Sequence, residues 1–371
     1  MYNAHDKFKL KKVINANGKM TILGASIYAS EAIEAQVFGG EHFFEMDELH
    51  NNIGRYLEEL LHVEALCIVS SASAGISQSV AGVIGQGDAY HMKNPYSKKI
   101  SARDIIIPKG HNIHYGAPIQ TMIEMGGGNV IEAGYSNLCD KDMVEELISD
   151  DTAALFYVKS HHCVQKGILS AEQMIELARE HQLPLVVDAA AEGDLKRLVD
   201  AGADLVIYSG SKAISGPTSG IVIGKENYVK WVKLQSQGIG RAMKIGKENI
   251  LGIAEAIEVY LADKADTLDE MSRKADPFIL KLNSIPDIVA SEIQDDAKRP
   301  ILRVKLEMNE NGNCSLSSLV SELRAGDPAI YTRNYHLNEG YIEIDSRDLN
   351  EDEKDEIYSK ILEYMSNGCG K

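Results

Sequence analysis

Two side chains in this sequence have the type and setting for carbonyl chemistry, Asp188 and Lys212. Lys212 lies in SGSKAISGP, among small hydroxyl and glycine residues, so a flat ring has room to reach its amine. A lysine forms a Schiff base only when its amine is partly neutral, which burial or a nearby cation arranges. Asp188 ends the branched run Leu185-Val186-Val187, at the carboxyl end of an expected central strand. Ala190 and Ala191 leave space for a ring face, and Ser209 and Ser211 offer hydroxyls to a phosphate. A carboxylate paired to a pyridinium nitrogen keeps it protonated and makes the ring an electron sink. The pair therefore suits pyridoxal 5'-phosphate. By spacing alone it is equally a surface lysine and a strand-end aspartate of any doubly wound fold. The tight GP-x-SG turn before IVIG favours the ligand-bearing alternative.

Other stretches bear on the same chemistry. Ala65–Val69 reads as a buried strand, Ser70–Gly75 as a small polar turn, and the residues to about Gly85 as a helix. Such a turn can cradle a phosphate, because the first N–H groups of a helix are unpaired and small side chains let an anion approach. It is also an ordinary strand–helix connection. His111 and His114 follow the strand Asp104–Lys109, where ligand-facing loops lie in an open α/β sheet, although both also suit a solvated loop. His161, His162 and Cys163 invite a metal, but adjacent histidines point apart and no carboxylate stands at ligand spacing, so no metal is expected.

These residues need a framework. Strand and helix alternate at least six times between Ala65 and Ile223. That pattern predicts an α/β domain with a mostly parallel sheet and helices on both faces. From Pro277 the texture changes to strands (301–306, 341–344) mixed with helices (315–323, 351–365), a smaller α+β domain hinged through a long helix at 247–275. The expected division is an N-terminal extension (1–30), a large ligand-binding domain (31–250) and a small C-terminal domain (251–371). A net charge of −17 argues against a bulk nucleic-acid binder, which needs a basic face to displace counterions. The five cysteines show no CxxC pair, so neither disulfides nor zinc are expected and a reducing compartment is. No apolar run reaches about 18 residues and the polar start lacks a signal-peptide core, which makes the cytoplasm the default.

The run SGSKAISGPTSGIVIGK resembles the Schiff-base region of pyridoxal phosphate enzymes of the aspartate-aminotransferase fold (fold type I), above all the bacterial selenocysteine synthase group. VINANG, EALCIVSSASAGI, REHQLPLVVD, GRAMKIGKENILGIAEA and LRAGDPAIYTRN with YIEIDSRDL resemble further segments of that group, so the likeness runs from about Val13 to near the end. It implies Lys212 as the Schiff-base lysine, Asp188 as partner of the ring nitrogen, and Ser71, Ser73, Ala74 and Ser209 around the phosphate. The His111 loop would cover the outer ring face, with His114 behind it. Arg241, Arg333 and Arg347 match arginines of the family, and with Arg55 and Lys244 become candidates for binding substrate anions. VINANG begins at Val13, which leaves no room for the namesake's extra tRNA-binding domain, and the SSASAG loop departs from the family's asparagine-rich version. The start resembles instead a shorter branch of the group, the D-glucosaminate-6-phosphate ammonia-lyases. The resemblance thus implies α,β-elimination of water with ammonia release from a small phosphorylated 2-amino sugar acid, in a homodimer or larger homo-oligomer. Other β-eliminating or carbon–sulfur lyases, a selenium transferase on seryl-tRNA and a non-catalytic cofactor carrier are the alternatives.

Overall fold

The computed structural model describes residues 3–100, 102–160, 162–263, 266–295, 299–309 and 314–367. The chain divides into two compact units, Met1–Ala25 with Lys264–Lys371, and Ser26–Asp263. It opens with helix α1 (Ala4–Phe8) and strand β1 (Val13–Ala16) of the first unit. The second unit starts with α2 (Ser30–Glu41) and α3 (Met46–Leu61). Then come β2 (Ala65–Val69), α4 (Ala72–Gly85), β3 (Asp104–Pro108), β4 (Asn129–Ala133) and β5 (Thr152–Val158). The last strands of this unit are β6 (Leu185–Asp188), β7 (Leu205–Ser209) and β8 (Gly220–Gly224).

The seven strands β2 to β8 form one sheet in the order β2-β8-β7-β6-β5-β3-β4. All neighbours are parallel except β8, which is antiparallel to both β2 and β7. β2, β5, β6, β7 and β8 are buried along their whole length. Both faces are covered, so these strands read as continuous apolar runs rather than alternating ones. Successive side chains supply two separate cores: Leu185 and Val187 pack on one face, Val186 and Ile207 on the other. Register decides which ends meet. Val158 lies opposite Asp188, Asp188 opposite Ile207, Ser209 opposite Gly220, and Gly220 opposite Val69. The carboxyl ends of β5, β6, β7 and β2 therefore share one edge with the start of β8.

The other unit contains β9 (Ile288–Gln294), β10 (Leu302–Met308), β11 (Ala329–Thr332) and β12 (Tyr341–Ile344). β12-β10-β9 is an antiparallel sheet, and β1 pairs in parallel with β11. The first residues, read from sequence as an extension, thus supply a strand to the C-terminal sheet system, and Ile14 and Ala16 join its core. The long helix expected at 247–275 is two helices, Lys247–Ala262 and Leu268–Leu282. Thr267 starts the second through a capping box with Glu270, a stop-and-restart signal that the apolar periodicity masked. Cys314 is disulfide-bonded, against the expectation of unpaired thiols, whereas Cys67, Cys139 and Cys163 are free.

Candidate active site

Asp188 ends β6 and is 7% exposed. Its Oδ1 accepts the Ala190 N–H at 3.0 Å, which fixes the carboxylate at the strand end. Burial raises its pKa, opposed by the charge of Lys212 and by the Ala190 amide. The sheet therefore holds a buried carboxylate with Lys212 in electrostatic reach. Lys212 is half-buried in the turn between β7 and β8. The Gly210 N–H donates to Ser219 O at 2.9 Å, Gly216 N–H to Gly210 O at 2.8 Å, and Ser215 N–H to Lys212 O at 3.1 Å. Ser26 Oγ donates to Ser211 O at 2.7 Å, tying the turn to the segment before α2. At Gly210 a Cβ would run into Ser219 Oγ and stand 2.6 Å from Ile253 Cδ1, so glycine lets the turn close this tightly. Ser209 Oγ lies 3.3 Å from Ser211 Oγ.

On the same edge β2 runs into α4. Ser71 is its N-cap, with Oγ accepting the Ala74 N–H at 3.0 Å. The first amides of the helix have no intrahelical partner and carry the positive end of its dipole. Gly220 of β8 lets this terminus lie close: a Cβ there would meet Ser71 C at 2.6 Å and Ala72 N at 2.8 Å. Ser73 Oγ is 3.1 Å from Tyr115 Oη.

The histidines take different places. His111 is fully buried, its ring edge-on to Tyr157 at 4.5 Å between centroids. Its Nδ1 accepts the Val158 N–H at 3.4 Å, and burial lowers its pKa to about 4. It buttresses the end of β5 next to Asp188 and presents no exposed ring face. His114 is exposed, its Nδ1 3.4 Å from the Gly116 N–H. Tyr115, which the sequence reading passed over, spans this region. Its hydroxyl reaches Ser73, its pKa is raised by burial, and Asp188 lies within electrostatic reach. The aromatic in GHNIHYGAP was the signal available. Cys163, also buried near Asp188, has its thiol pushed up to about 12, mainly by burial, and is inert at neutral pH. His161 lies outside the described residues, and no group of metal-ligating side chains occurs among them.

The expected anion-binding residues are spread over both units. Arg55 on α3, and Arg241 and Lys244 after β8, are exposed. In the other unit Arg347 grips Asp345, with Nε at 2.8 Å and Nη2 at 2.6 Å. Arg333 is buried, with Nε 3.3 Å from Glu343 Oε2 and its guanidinium over Tyr335.

A carboxylate buried at a strand end and held by the Ala190 amide fits the protonated nitrogen of pyridoxal 5'-phosphate. The turn lysine fits its aldehyde, and the N-terminus of α4 fits its phosphate. With the sheet order, these features define a fold-type-I pyridoxal phosphate enzyme. The L-seryl-tRNA selenium transferase (SelA) family matches residues 13–307, and the chain belongs to it. It is 40% identical to D-glucosaminate-6-phosphate ammonia lyase of Salmonella typhimurium (strain 14028s / SGSC 2262), over 97% of each chain. It is 35% identical to a 5'-C-glycyluridine monooxygenase-decarboxylase of a Streptomyces species, over 95% of this chain and 90% of that one. A solved structure of D-glucosaminate-6-phosphate ammonia-lyase superposes with a TM-score of 0.93 over 99% of each chain.

Proposed function

We propose that the protein is an ammonia-lyase that converts D-glucosaminate 6-phosphate to 2-keto-3-deoxygluconate 6-phosphate and ammonia. The observation that carries this is the Asp188–Lys212 pair at one sheet edge, in a chain 40% identical end to end to a lyase of that name. Lys212, Asp188, Ala190, Ser71, Ser73, Ala74, Ser209 and Ser211 would hold the cofactor. Tyr115 is added to cover the ring, the part first expected of His111. When bound, the cofactor supplies a sink for the electrons left when the Cα proton departs.

The chain's own groups do the rest. Lys212 Nζ takes the Cα proton, and the tight turn holds it on one side of the reacting carbon. Asp188 keeps its negative charge in the loaded site by facing a cation. His111, neutral at physiological pH, holds the end of β5 in place. The β-hydroxyl leaves as water, and one water returns as the C2 nitrogen leaves, so the net loss is ammonia. Within the unit that holds Lys212, the cations offered to the substrate carboxylate and phosphate are Arg55, Arg241 and Lys244, whereas Arg333 and Arg347 are held by Glu343 and Asp345. We further assign the enzyme to amino sugar acid breakdown in the cytoplasm, as a homo-oligomer without nucleic-acid partners. No helix among the described residues is long and apolar enough to cross a membrane.

The test is ammonia release by the holoenzyme from D-glucosaminate 6-phosphate against serine, cysteine and cystathionine, with and without oxygen. One ammonia per keto acid, independent of oxygen, is expected. A requirement for oxygen, or faster turnover of a sulfur amino acid, overturns the reading. Lys212→Ala should abolish both the reaction and the visible absorption of protein-bound cofactor.

A further inference from the structure

The carboxyl ends of β5 and β6 lie side by side, with Val158 opposite Asp188. Lys159 is the first residue past β5. Its N–H donates to Asp188 O at 2.8 Å, which sets the lysine next to the buried aspartate. Its side chain is half-buried, and among the described residues no hydrogen bond or ion pair holds Nζ. Lys109, which follows β3 on the same edge, differs: its Nζ lies 2.7 Å from Glu132 Oε2. A half-buried ammonium without a carboxylate bears the cost of desolvation and lacks the gain from pairing.

Two buried groups show where the Lys159 charge acts. The Cys163 thiol is raised by burial and by the charge of Asp188, and drawn down by Lys159. His111 is lowered by burial, held up in part by the Val164 carbonyl, and lowered again by Lys159. Cys163 is therefore within reach of both charges, and Lys159 belongs to the surroundings of Asp188. The segment after it folds back on itself. Ser160 Oγ accepts the His162 N–H at 3.2 Å, Gln165 Nε2 donates to Ser160 O at 3.3 Å, and the Val164 N–H donates to Gly110 O at 3.3 Å. Lys166, farther along, is exposed.

Strand order relates this charge to a bound ring. Along the edge stand the α4 terminus after β2, the Lys212 turn between β8 and β7, Asp188 on β6 and Lys159 after β5. Pyridoxal phosphate carries its phosphate arm and its phenolic oxygen on opposite sides of the line from ring nitrogen to aldehyde. With the nitrogen at Asp188 and the phosphate at the α4 terminus, the phenolic oxygen falls on the β5 side. We infer that Lys159 is the cation that faces this oxygen and keeps it ionised. An ammonium beside a phenolate favours the charged form, so loss of Lys159 shifts the proton onto the oxygen. The inference rests on the cofactor and is independent of the amine that the enzyme turns over.

The experiment is absorbance spectroscopy of the protein with bound pyridoxal phosphate, at fixed pH and without substrate. Cofactor held by a lysine absorbs in the visible when its ring oxygen is ionised and in the near ultraviolet when that oxygen carries the proton. Lys159→Met is expected to lower the ratio of visible to near-ultraviolet absorbance, per bound cofactor, by about tenfold. Lys159→Arg should keep the ratio, and so should Lys166→Met on the exposed part of the same segment. Lys159→Gln repeats the measurement where the methionine variant does not fold. An unchanged ratio in the Met and Gln variants, or an equal fall in Lys166→Met, overturns the assignment. A fall confined to the uncharged Lys159 variants, in an enzyme that releases no ammonia, would keep the assignment and overturn only the lyase reading.

Discussion

In the function proposed above, Asp188 serves the loaded enzyme at the expense of the empty one. Burial holds its carboxyl above the ordinary value, against the pull of Lys212. Between the ordinary and the raised value the native state binds more protons than the unfolded chain, so stability falls as pH rises through that window and stays reduced at neutral pH. Asp188→Asn should therefore raise the melting temperature of the cofactor-free protein at neutral pH while weakening cofactor binding, read by thermal scans with and without pyridoxal phosphate. A lower melting temperature without cofactor would refute this. His111 has the opposite sign. Its value of about 4 lies below the unfolded value of 6.5, so its contribution is complete above the unfolded value and is lost as pH falls from 6.5 to 4. His111→Gln should flatten the acid limb of a denaturant-midpoint series, an effect of about 3 kcal/mol at most. Tyr115→Phe should retain cofactor affinity and Tyr115→Ala lose about tenfold, measured by dialysis against free cofactor, if the ring rather than the hydroxyl matters.

At the scale of elements, the cradle depends on how closely β8 approaches the start of α4. Gly220→Ala forces a Cβ into Ser71 and Ala72, so the helix N-terminus must shift. The expected result is a folded protein whose cofactor affinity drops by about tenfold or more, seen by absorbance titration, while its circular dichroism is kept. The elements themselves were largely legible. α3 carries a periodic apolar run, and β2, β5, β7 and β8 carry buried apolar ones. Leu49, Ile53 and Leu57 mark α3, and Leu205 to Ile207 mark β7. β9 and β11 were not legible. The alternating pattern of β9 and the four residues of β11 gain meaning only from their partners β10 and β1. Tyr115 was missed for a related reason: its hydroxyl meets Ser73, 42 residues away.

For the whole molecule, stability and function draw on different charges. Arg303, 4% exposed, meets Asp295 at 3.0 Å, Asp345 at 3.4 Å and Glu343 at 3.5 Å. Removing one partner of a buried ionic network strands the others without water, at a cost of about 3–5 kcal/mol. Arg303→Met should lower the unfolding free energy, read from denaturant melts, by that amount. A change within about 0.5 kcal/mol would mean the carboxylates relax to solvent. Arg333 and Arg347 join this network through Glu343 and Asp345.

By itself the sequence determined the class of chemistry. The lysine among small residues, the aspartate ending an apolar strand and the run of alternating elements are local patterns, and local patterns set secondary structure and the residue types available at its ends. Tertiary structure alone decided which of those ends meet. Strand register put Asp188, the turn that carries Lys212 and the α4 terminus on one edge, while loop packing buried His111 and set Tyr115 against Ser73. It also joined Asn17 to Arg333, more than three hundred residues apart. Such contacts follow from hydrogen-bond pairing between distant strands, a property of the assembled sheet that no short window of the chain contains.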